Sequence, residues 1–370
     1  MNCTISSFCT LLLRRIHKDE ESKEKSNSLK LFMPAILFAI VTTASLLVGC
    51  SDSTGNRSFS SSDEAVKAYS ACLSNIRKED KVPIERLTTI VSEWQVIDDS
   101  VYSCLKRDTV NRPHRYPMKV YRQVKDSIHE EFIRLAASRP RSYHDLLFLK
   151  EHTSIYMKDV EIRETASEAQ PFFTSLDSLP INCKGGKDGI VERYRIFLNE
   201  SLKKGIHSRE DLLDFIRKEH CHYRAFLQYL PQLADKSLTD ITHNTEQCCV
   251  QILTAADKGA ISHEDAMIFL AIRTNLRLLR SAQTAMSDLK SGKVKSQGTA
   301  HAYLWMLIQP FVSMDNLSLA VMSDQDKNDL YKVADAMPSA MSHLAKTLRI
   351  DKQNLSEMPT LLMKIYLTRL

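Results

Sequence analysis

Alternation of apolar and polar residues over five or more positions, which a half-buried strand needs, is hard to find anywhere in the chain. Signals that begin and end helices are frequent instead. We therefore predict an all-α fold, an irregular bundle of many helices without a sheet. The predicted helices cover residues 62–78, 84–107, 117–138, 142–152, 188–203, 209–230, 238–257, 263–290, 299–314, 324–348 and 355–368.

Four serines are each followed three residues later by an aspartate, the pattern of a capping box at a helix N-terminus. Three glycines lie where helix C-caps are expected, and three prolines are expected to stop or kink the helices that contain or adjoin them. The four capping pairs are Ser208 and Asp211, Ser237 and Asp240, Ser262 and Asp265, and Ser323 and Asp326. The glycines are Gly205, Gly259 and Gly292, and the prolines are Pro231, Pro310 and Pro338.

Pro180 and three glycines are concentrated in residues 175–189, which makes this stretch the best candidate for a domain boundary. Two helical subdomains, 62–174 and 188–370, would meet there. A single continuous bundle with one long loop is the alternative.

The composition supports a globular helical protein. Of the 370 residues 43% are hydrophobic, while only nine are glycine. The formal charge is +5, but residues 1–49 hold six Lys or Arg and four Asp or Glu, so the remainder carries only +3. Such a small net charge gives no reason to expect a nucleic-acid partner.

Residues 31–48 form an apolar run, LFMPAILFAIVTTASLLV. Lys23, Lys25 and Lys30 precede it, and Gly49 and Cys50 follow it. A charged region, an apolar region and a small-residue cleavage zone in this order are typical of a signal peptide, here residues 1–49 with a long charged part.

The four residues Leu47-Val48-Gly49-Cys50 resemble the lipobox of bacterial lipoproteins. The resemblance implies that Cys50 receives diacylglycerol and that a signal peptidase then cuts before it, with Leu47 and Gly49 as recognition positions. Covalent lipid on Cys50 would hold the protein on the cell membrane or the outer membrane. An uncleaved signal anchor is the alternative, and both place the later residues on the non-cytoplasmic side.

Residues 50–61 are mostly small and polar and are predicted to be a flexible tether between the lipid and the first helix. Asp52 is the only acidic residue in this stretch. The stretch therefore lacks the cluster of acidic residues that resembles a surface-export signal in some Gram-negative lipoproteins. A periplasm-facing protein is therefore favoured over a surface-exposed one.

The most suggestive group of reactive side chains is Glu219-His220-Cys221-His222, followed on the next predicted helix by His243, Cys248 and Cys249. These residue types bind zinc and redox metals. However, His220 and His222 point about 200° apart on a helix, and Cys248 and Cys249 are splayed for the same reason. We therefore predict ordinary packing and no metal or other cofactor, with His220, His222, His243 and Cys248 as the ligands to test.

Six cysteines besides Cys50 follow the leader, and an even number in an oxidising compartment invites disulfide pairing. Free buried thiols are equally ordinary in a domain of this size. A hairpin over 62–107 would hold Cys72 and Cys104 far apart, so these two are not expected to pair. The six are Cys72, Cys104, Cys183, Cys221, Cys248 and Cys249.

Arg273, Arg277 and Arg280 recur at helical spacing and form one basic stripe. A second basic concentration runs from Lys106 to Lys125. Each is expected to be a solvated helix face, with contact to lipid headgroups or to an acidic partner as the alternative.

The chain offers an anchor, a polar tether and many helices, and no familiar catalytic motif stands out. These features favour a lipid-anchored envelope protein that acts as a non-enzymatic binding or scaffold module, with the membrane and an envelope protein as partners. The alternative is a metal-dependent enzyme centred on 219–222 with Cys248 and Cys249.

Overall fold

The computed structural model describes residues 59–111, 116–153, 160–232, 235–294, 296–349 and 352–370. Within these ranges the regular elements are helices and no strand occurs, which confirms the predicted all-α fold. Among the helices of these ranges, none combines the length and the apolar composition of a membrane-spanning segment.

The helices differ in length from one turn to about eight turns. In chain order they are α1 (Ser62–Ile76), α2 (Ile84–Asn111), α3 (Tyr116–Ala137), α4 (Tyr143–His152), α5 (Val160–Leu176), α6 (Gly186–Lys204), α7 (Arg209–Leu227), α8 (Asp235–Asp257), α9 (His263–Lys290), α10 (Gln297–Ser313), α11 (Asn316–Ala320), α12 (Asp324–Leu348), α13 (Lys352–Ser356) and α14 (Met358–Leu367), with a 3₁₀ turn at Leu230–Gln232 between α7 and α8.

The chain divides into two compact units. The described residues of the first unit lie within 59–153 and 356–370, and those of the second unit lie within 160–355. This division differs from the predicted boundary at 175–189. That stretch, which connects α5 to α6, lies inside the second unit, because α5 packs against α9 and α7. The C-terminal residues belong to the first unit because α14 packs against α3 and α4.

In the first unit, α1 packs against α2 and α3, and α2 also contacts α4. Trp94, Tyr69 and Phe132 are fully buried and are the largest side chains of its core. Trp94 meets Phe132 edge-on, with ring centroids 5.3 Å apart. The edge-on arrangement is one that aromatic pairs prefer.

The second unit is built around α9, which packs against α5, α7, α8, α10, α11 and α12. Most of its residues are buried, including polar ones such as Arg273 and Asn275. On one side of this unit α6 packs against both α7 and α8.

Serine caps begin several of these helices as the sequence predicts. Ser208, Ser262 and Ser323 each accept a hydrogen bond from the backbone N–H three residues later. The prediction at Ser237 is wrong, because α8 already begins at Asp235. The predicted C-terminal glycines Gly205, Gly259 and Gly292 all have positive φ, the conformation that favours glycine after a helix.

α10 and α12 contain Pro310 and Pro338, as the predicted helices over 299–314 and 324–348 do. Two further features depart from the sequence predictions. α5 was not predicted. The predicted tether extends too far, because Phe59 is buried and its carbonyl accepts a hydrogen bond from Arg107 Nη2 at 3.0 Å. The earlier part of the tether, 50–58, lies outside the described residues.

Candidate functional site

A buried carboxylate and two guanidinium groups meet between α7 and α9 in the second unit. Glu219 on α7 has a side chain that is 1% exposed, and Arg273 on α9 is 6% exposed. Arg273 Nε lies 3.0 Å from Glu219 Oε2, and its Nη2 lies 2.8 Å from Oε1. This two-point contact is the strong, planar arrangement that arginine makes with carboxylates.

Glu219 Oε1 accepts two further hydrogen bonds. The Tyr194 hydroxyl on α6 donates one at 2.5 Å, and Arg277 Nη1 donates the other at 2.8 Å. The Arg277 guanidinium also lies over the Tyr223 ring, with 4.0 Å between the guanidinium carbon and the ring centroid. Residues of three helices thus converge on one buried carboxylate, which we call the Glu219 cluster (Tyr194, Glu219, Tyr223, Arg273 and Arg277).

The charges in the Glu219 cluster hold one another in the ionised state. Burial alone would raise the pKa of Glu219, but Arg273 and Arg277 outweigh burial and lower it to about 2. Burial opposes the charge on both arginines as well, yet Glu219 and the neighbouring Tyr194 raise the pKa of each. At neutral pH the cluster therefore contains one negative and two positive charges.

A second ion pair lies on the same face of α9. Arg280 Nη2 donates to Asp177 Oδ2 at 2.6 Å, and His220 Nε2 lies 3.1 Å from Asp177 Oδ1. The His220 hydrogen bond and the Arg280 charge lower the pKa of Asp177 to about 2. Asp177 follows the last residue of α5, so this pair joins α5, α7 and α9.

The basic stripe of α9 therefore does not have the solvated face expected from the sequence. Arg273 is buried, Arg277 is 19% exposed and Arg280 is 28% exposed. All three contact acidic residues of the same unit, Glu219 for Arg273 and Arg277, and Asp177 and Asp326 for Arg280. The sequence predicted the stripe but not its buried surroundings, because the acidic partners lie far from it in the chain.

The two histidines of the candidate metal site contact different neighbours. His220 contacts Asp177, whereas His222 stacks with the rings of Tyr194 and Phe197 on α6. The exposed His243 lies on α8, and the buried Cys248 thiol lies 3.9 Å from the carbonyl of Leu198.

Cys249, beside Cys248, has its sulfur 3.7 Å from Arg273 Nη1. Across the described residues, no group of three or more His, Cys, Asp or Glu side chains is placed to hold a metal ion. Glu219, the acid of the proposed enzyme centre, has both oxygens engaged by arginines. All six described cysteines are free thiols in the structure.

The first unit holds a polar cluster that the sequence reasoning missed. Asp98 on α2 accepts hydrogen bonds from the hydroxyls of Tyr69 and Tyr121, and from Lys125 Nζ at 2.9 Å. The Tyr69 hydroxyl also accepts a hydrogen bond from Trp94 Nε1 at 3.0 Å. These residues form the Asp98 cluster, in which one carboxylate faces one ammonium.

Lys125, the last residue of the second basic concentration, is therefore not part of a solvated face either. The spacing of Trp94 and Asp98, one helical turn apart, could have indicated this cluster. Other members of that concentration, 112–115, lie outside the described residues.

The lipidation residue Cys50 and the recognition residues Leu47 and Gly49 also lie outside the described residues. Comparison of the chain with protein-family models, with curated proteins and with solved structures yields no match. The chemistry of the two clusters is therefore inferred from their own geometry.

Proposed function

We propose that this chain is a lipid-anchored protein of the bacterial cell envelope and that its helical units act as a binding or scaffold module. The observation that carries the proposal is Leu47-Val48-Gly49-Cys50 directly after a charged region and an apolar run. Each buried methylene of an acyl chain contributes roughly 0.8 kcal/mol, so two or three chains on Cys50 make a lasting anchor.

The distance between anchor and folded chain is short in this proposal. Phe59 is the first described residue and is already buried, and it lies only nine positions after Cys50. Even a fully extended segment of that length reaches only about 32 Å. The first helical unit would therefore stay close to the membrane surface, where an envelope partner would meet it.

The side chains that could have supported an enzyme are bound to other protein groups. Glu219 is held by two arginines, His220 by Asp177, and His222 stacks with two aromatic rings. Contacts of this kind are typical of ion pairs and packed side chains and not of ligands that share one metal ion. They favour the binding module over the metal-dependent enzyme.

Membrane fractionation of cells that produce the wild-type chain or Cys50→Ala tests the anchor. We expect wild type in the membrane fraction, with incorporation of labelled palmitate, and Cys50→Ala without label. Cys72→Ala is the matched control, since Cys72 is a half-buried cysteine of α1, and it should behave as wild type. Equal labelling of wild type and Cys50→Ala, or a wild type that carries no label, would overturn the proposal.

Metal analysis of the purified protein tests the choice between binding module and enzyme. The proposal expects less than stoichiometric zinc, iron, copper or manganese after purification without chelator. One tightly held metal ion per chain, lost in a His220→Ala, His222→Ala double variant, would instead support the enzyme.

A further inference from the structure

The first unit has two ends, and the predicted tether enters at one of them. The backbone N–H of Ser62, at the start of α1, donates to Asp108 Oδ2 near the end of α2 at 3.0 Å. The carbonyl of Phe59 accepts from Arg107 Nη2 at the same place. Only residues 112–115 separate the end of α2 from the start of α3. These three helix termini form what we call the tether end, the described residues 59–68, 104–111 and 116–123.

α1 and α3 run side by side from the tether end towards the opposite end of the unit. Tyr69 on α1 stacks on Tyr121 on α3, with ring centroids 5.2 Å apart. Further along both helices, Arg77 Nε lies 3.4 Å from Glu131 Oε1. Because α3 has 22 residues, at 1.5 Å per residue it spans about 33 Å between the two ends.

The tether end carries more positive than negative charge. Residues 101–124 of the sequence contain six Lys or Arg and a single acid, Asp108. The start of α1 adds one lysine and two acids, and one of these acids, Glu64, accepts hydrogen bonds from Ser60. The charged residues of the tether end are the five exposed cations Lys67, Lys106, Arg107, Lys119 and Arg122 and the three acids Asp63, Glu64 and Asp108, so its net charge is +2.

The cations on α3 are available to a partner outside the chain. Lys119 and Arg122 are exposed, and three residues apart on a helix they share one face. Within the described part of the chain, neither of them belongs to an ion pair. On α2, the Arg107 side chain is 59% exposed although its Nη2 donates to Phe59. Exposed Lys and Arg side chains of this kind attract the phosphates of anionic lipid headgroups.

The predicted lipid on Cys50 would hold the tether end, and not the opposite end, beside the membrane. Cys50 lies nine positions before Phe59, a distance of about 32 Å for a fully extended chain. The opposite end lies about 33 Å further away along α3. The basic end of the unit is thus also the end that the anchor brings to the headgroups.

We propose that the tether end of the first unit is a binding surface for anionic membrane lipids, with headgroup phosphates in contact with Lys106, Arg107, Lys119 and Arg122. The lipid keeps the protein at the membrane, and the basic surface turns α1, α2 and α3 with their tether ends towards it. Each basic side chain near an anionic surface strengthens binding about fivefold. The inference rests on the proposed membrane anchor, but its first test uses protein without lipid.

Flotation of vesicles with the mature chain, residues 50–370 carrying Cys50→Ala, tests the surface. This chain keeps every described residue and lacks both the lipid and the apolar run 31–48, so only its own surface can hold it on a membrane. We expect it to float with vesicles that contain phosphatidylglycerol but not with phosphatidylcholine alone, and to be released as sodium chloride screens the charges. No flotation with phosphatidylglycerol, or equal flotation with both kinds of vesicle, would overturn the proposal.

Lys119→Gln combined with Arg122→Gln is the decisive variant, because these side chains are exposed and hold no other part of the chain. We expect its partition coefficient onto phosphatidylglycerol vesicles to fall about tenfold or more. Lys78→Gln combined with Arg139→Gln is the matched control, since it removes the same charge from exposed residues at the opposite end and should bind as wild type. An unchanged partition coefficient in the tether-end variant, or equal losses in both variants, would contradict the surface.

Photo-cross-linking of the full chain in cells tests the same surface without removal of its charge pattern. A photoreactive amino acid in place of Lys119 should cross-link to phospholipid, whereas one in place of Arg139 should not. Cross-links from position 119 to protein alone, or equal lipid cross-linking from both positions, would overturn the proposal.

Failure of the anchor and failure of the surface give different results. A wild-type chain that takes up no palmitate, but whose mature form floats with phosphatidylglycerol vesicles, would lose the anchor and keep the lipid-binding surface. Palmitate on Cys50 without such flotation would remove the surface alone.

Discussion

Arg273 holds the carboxylate of Glu219 with both Nε and Nη2, at 3.0 and 2.8 Å, although the two residues lie 54 positions apart in the chain. The contact ties α7 to the central helix of the second unit. Removing one partner of a buried pair leaves the other charge without compensation, and this costs far more than the pair itself contributes.

Glu219→Gln should therefore be severely destabilising. Without the carboxylate, two buried guanidinium groups repel each other, and we expect the free energy of unfolding to fall by about 3–5 kcal/mol. Urea unfolding followed by circular dichroism measures the change. Asp214→Asn on the same helix is the control, because Asp214 and Lys218 form an exposed pair whose loss costs about 1 kcal/mol or less. Equal losses in the two variants would contradict the account.

Acid should destabilise the second unit between about pH 4.5 and pH 2. The pKa of Glu219 falls from 4.5 to about 2 on folding, and that of Asp177 from 3.8 to about 2. A group whose pKa is lowered on folding stabilises the folded state above its unfolded pKa, and this stabilisation is lost as the pH falls towards the folded pKa. For Glu219 the stabilisation at stake is about 3 kcal/mol.

Urea unfolding at a series of pH values measures this loss. Between pH 7 and pH 5 the free energy of unfolding should change little on account of these two groups. Below pH 4.5 the free energy of unfolding of Glu219→Gln should depend less on pH than that of wild type. If it falls as steeply in the variant as in wild type, Glu219 is not responsible for the loss of stability.

In the first unit, Tyr69→Phe should break the Asp98 cluster. The Tyr69 hydroxyl links Trp94 Nε1 to Asp98, so its loss leaves a buried indole N–H without its partner. Leaving a buried donor unsatisfied costs about 1–3 kcal/mol. Denaturant unfolding of both proteins in a Trp305→Phe background, followed by Trp94 fluorescence, measures the loss. Tyr102→Phe, at a residue that is 47% exposed, should leave stability unchanged, and a comparable loss there would contradict the assignment.

The cysteines should differ sharply in their reactivity. Burial raises the pKa of the Cys248 thiol to about 12, so little reactive thiolate exists at neutral pH. Cys248 and Cys104 are both buried, whereas Cys183 is partly exposed. Alkylation of the native protein followed by peptide mass mapping should modify Cys183 and spare Cys104 and Cys248 until denaturant is added. Early modification of Cys248 would show that α6 and α8 do not pack as described.

Most of the helical framework could be predicted because its signals are local. Ser208, Ser262 and Ser323 cap their helices through residues only three positions away. α5 escaped prediction because Pro171 lies in its interior and no capping serine was recognised at its start. Its buried residues Ala166, Ala169 and Phe173 nevertheless recur at helical spacing, and this signal could have revealed it.

The Glu219 cluster was only half predictable from the sequence. Helical spacing identified Arg273, Arg277 and Arg280 as one face, but spacing cannot tell an inward face from an outward one. What decides is the partner, and Glu219 reaches Arg273 only after α7 and α9 have packed together. Arg273 donates two hydrogen bonds to Glu219, whereas Arg277 donates one. This difference also arises from the packing of the helices and could not be predicted from the spacing.

The measurement that tests the central claim most directly is the intact mass of the wild-type protein isolated from membranes of its bacterial host. If the protein is a lipid-anchored envelope protein, we expect a polypeptide that begins at Cys50 and carries the added mass of two or three acyl chains on a glycerylated cysteine. A polypeptide that retains residues 1–49, or one that begins at Cys50 without any lipid mass, would contradict the account.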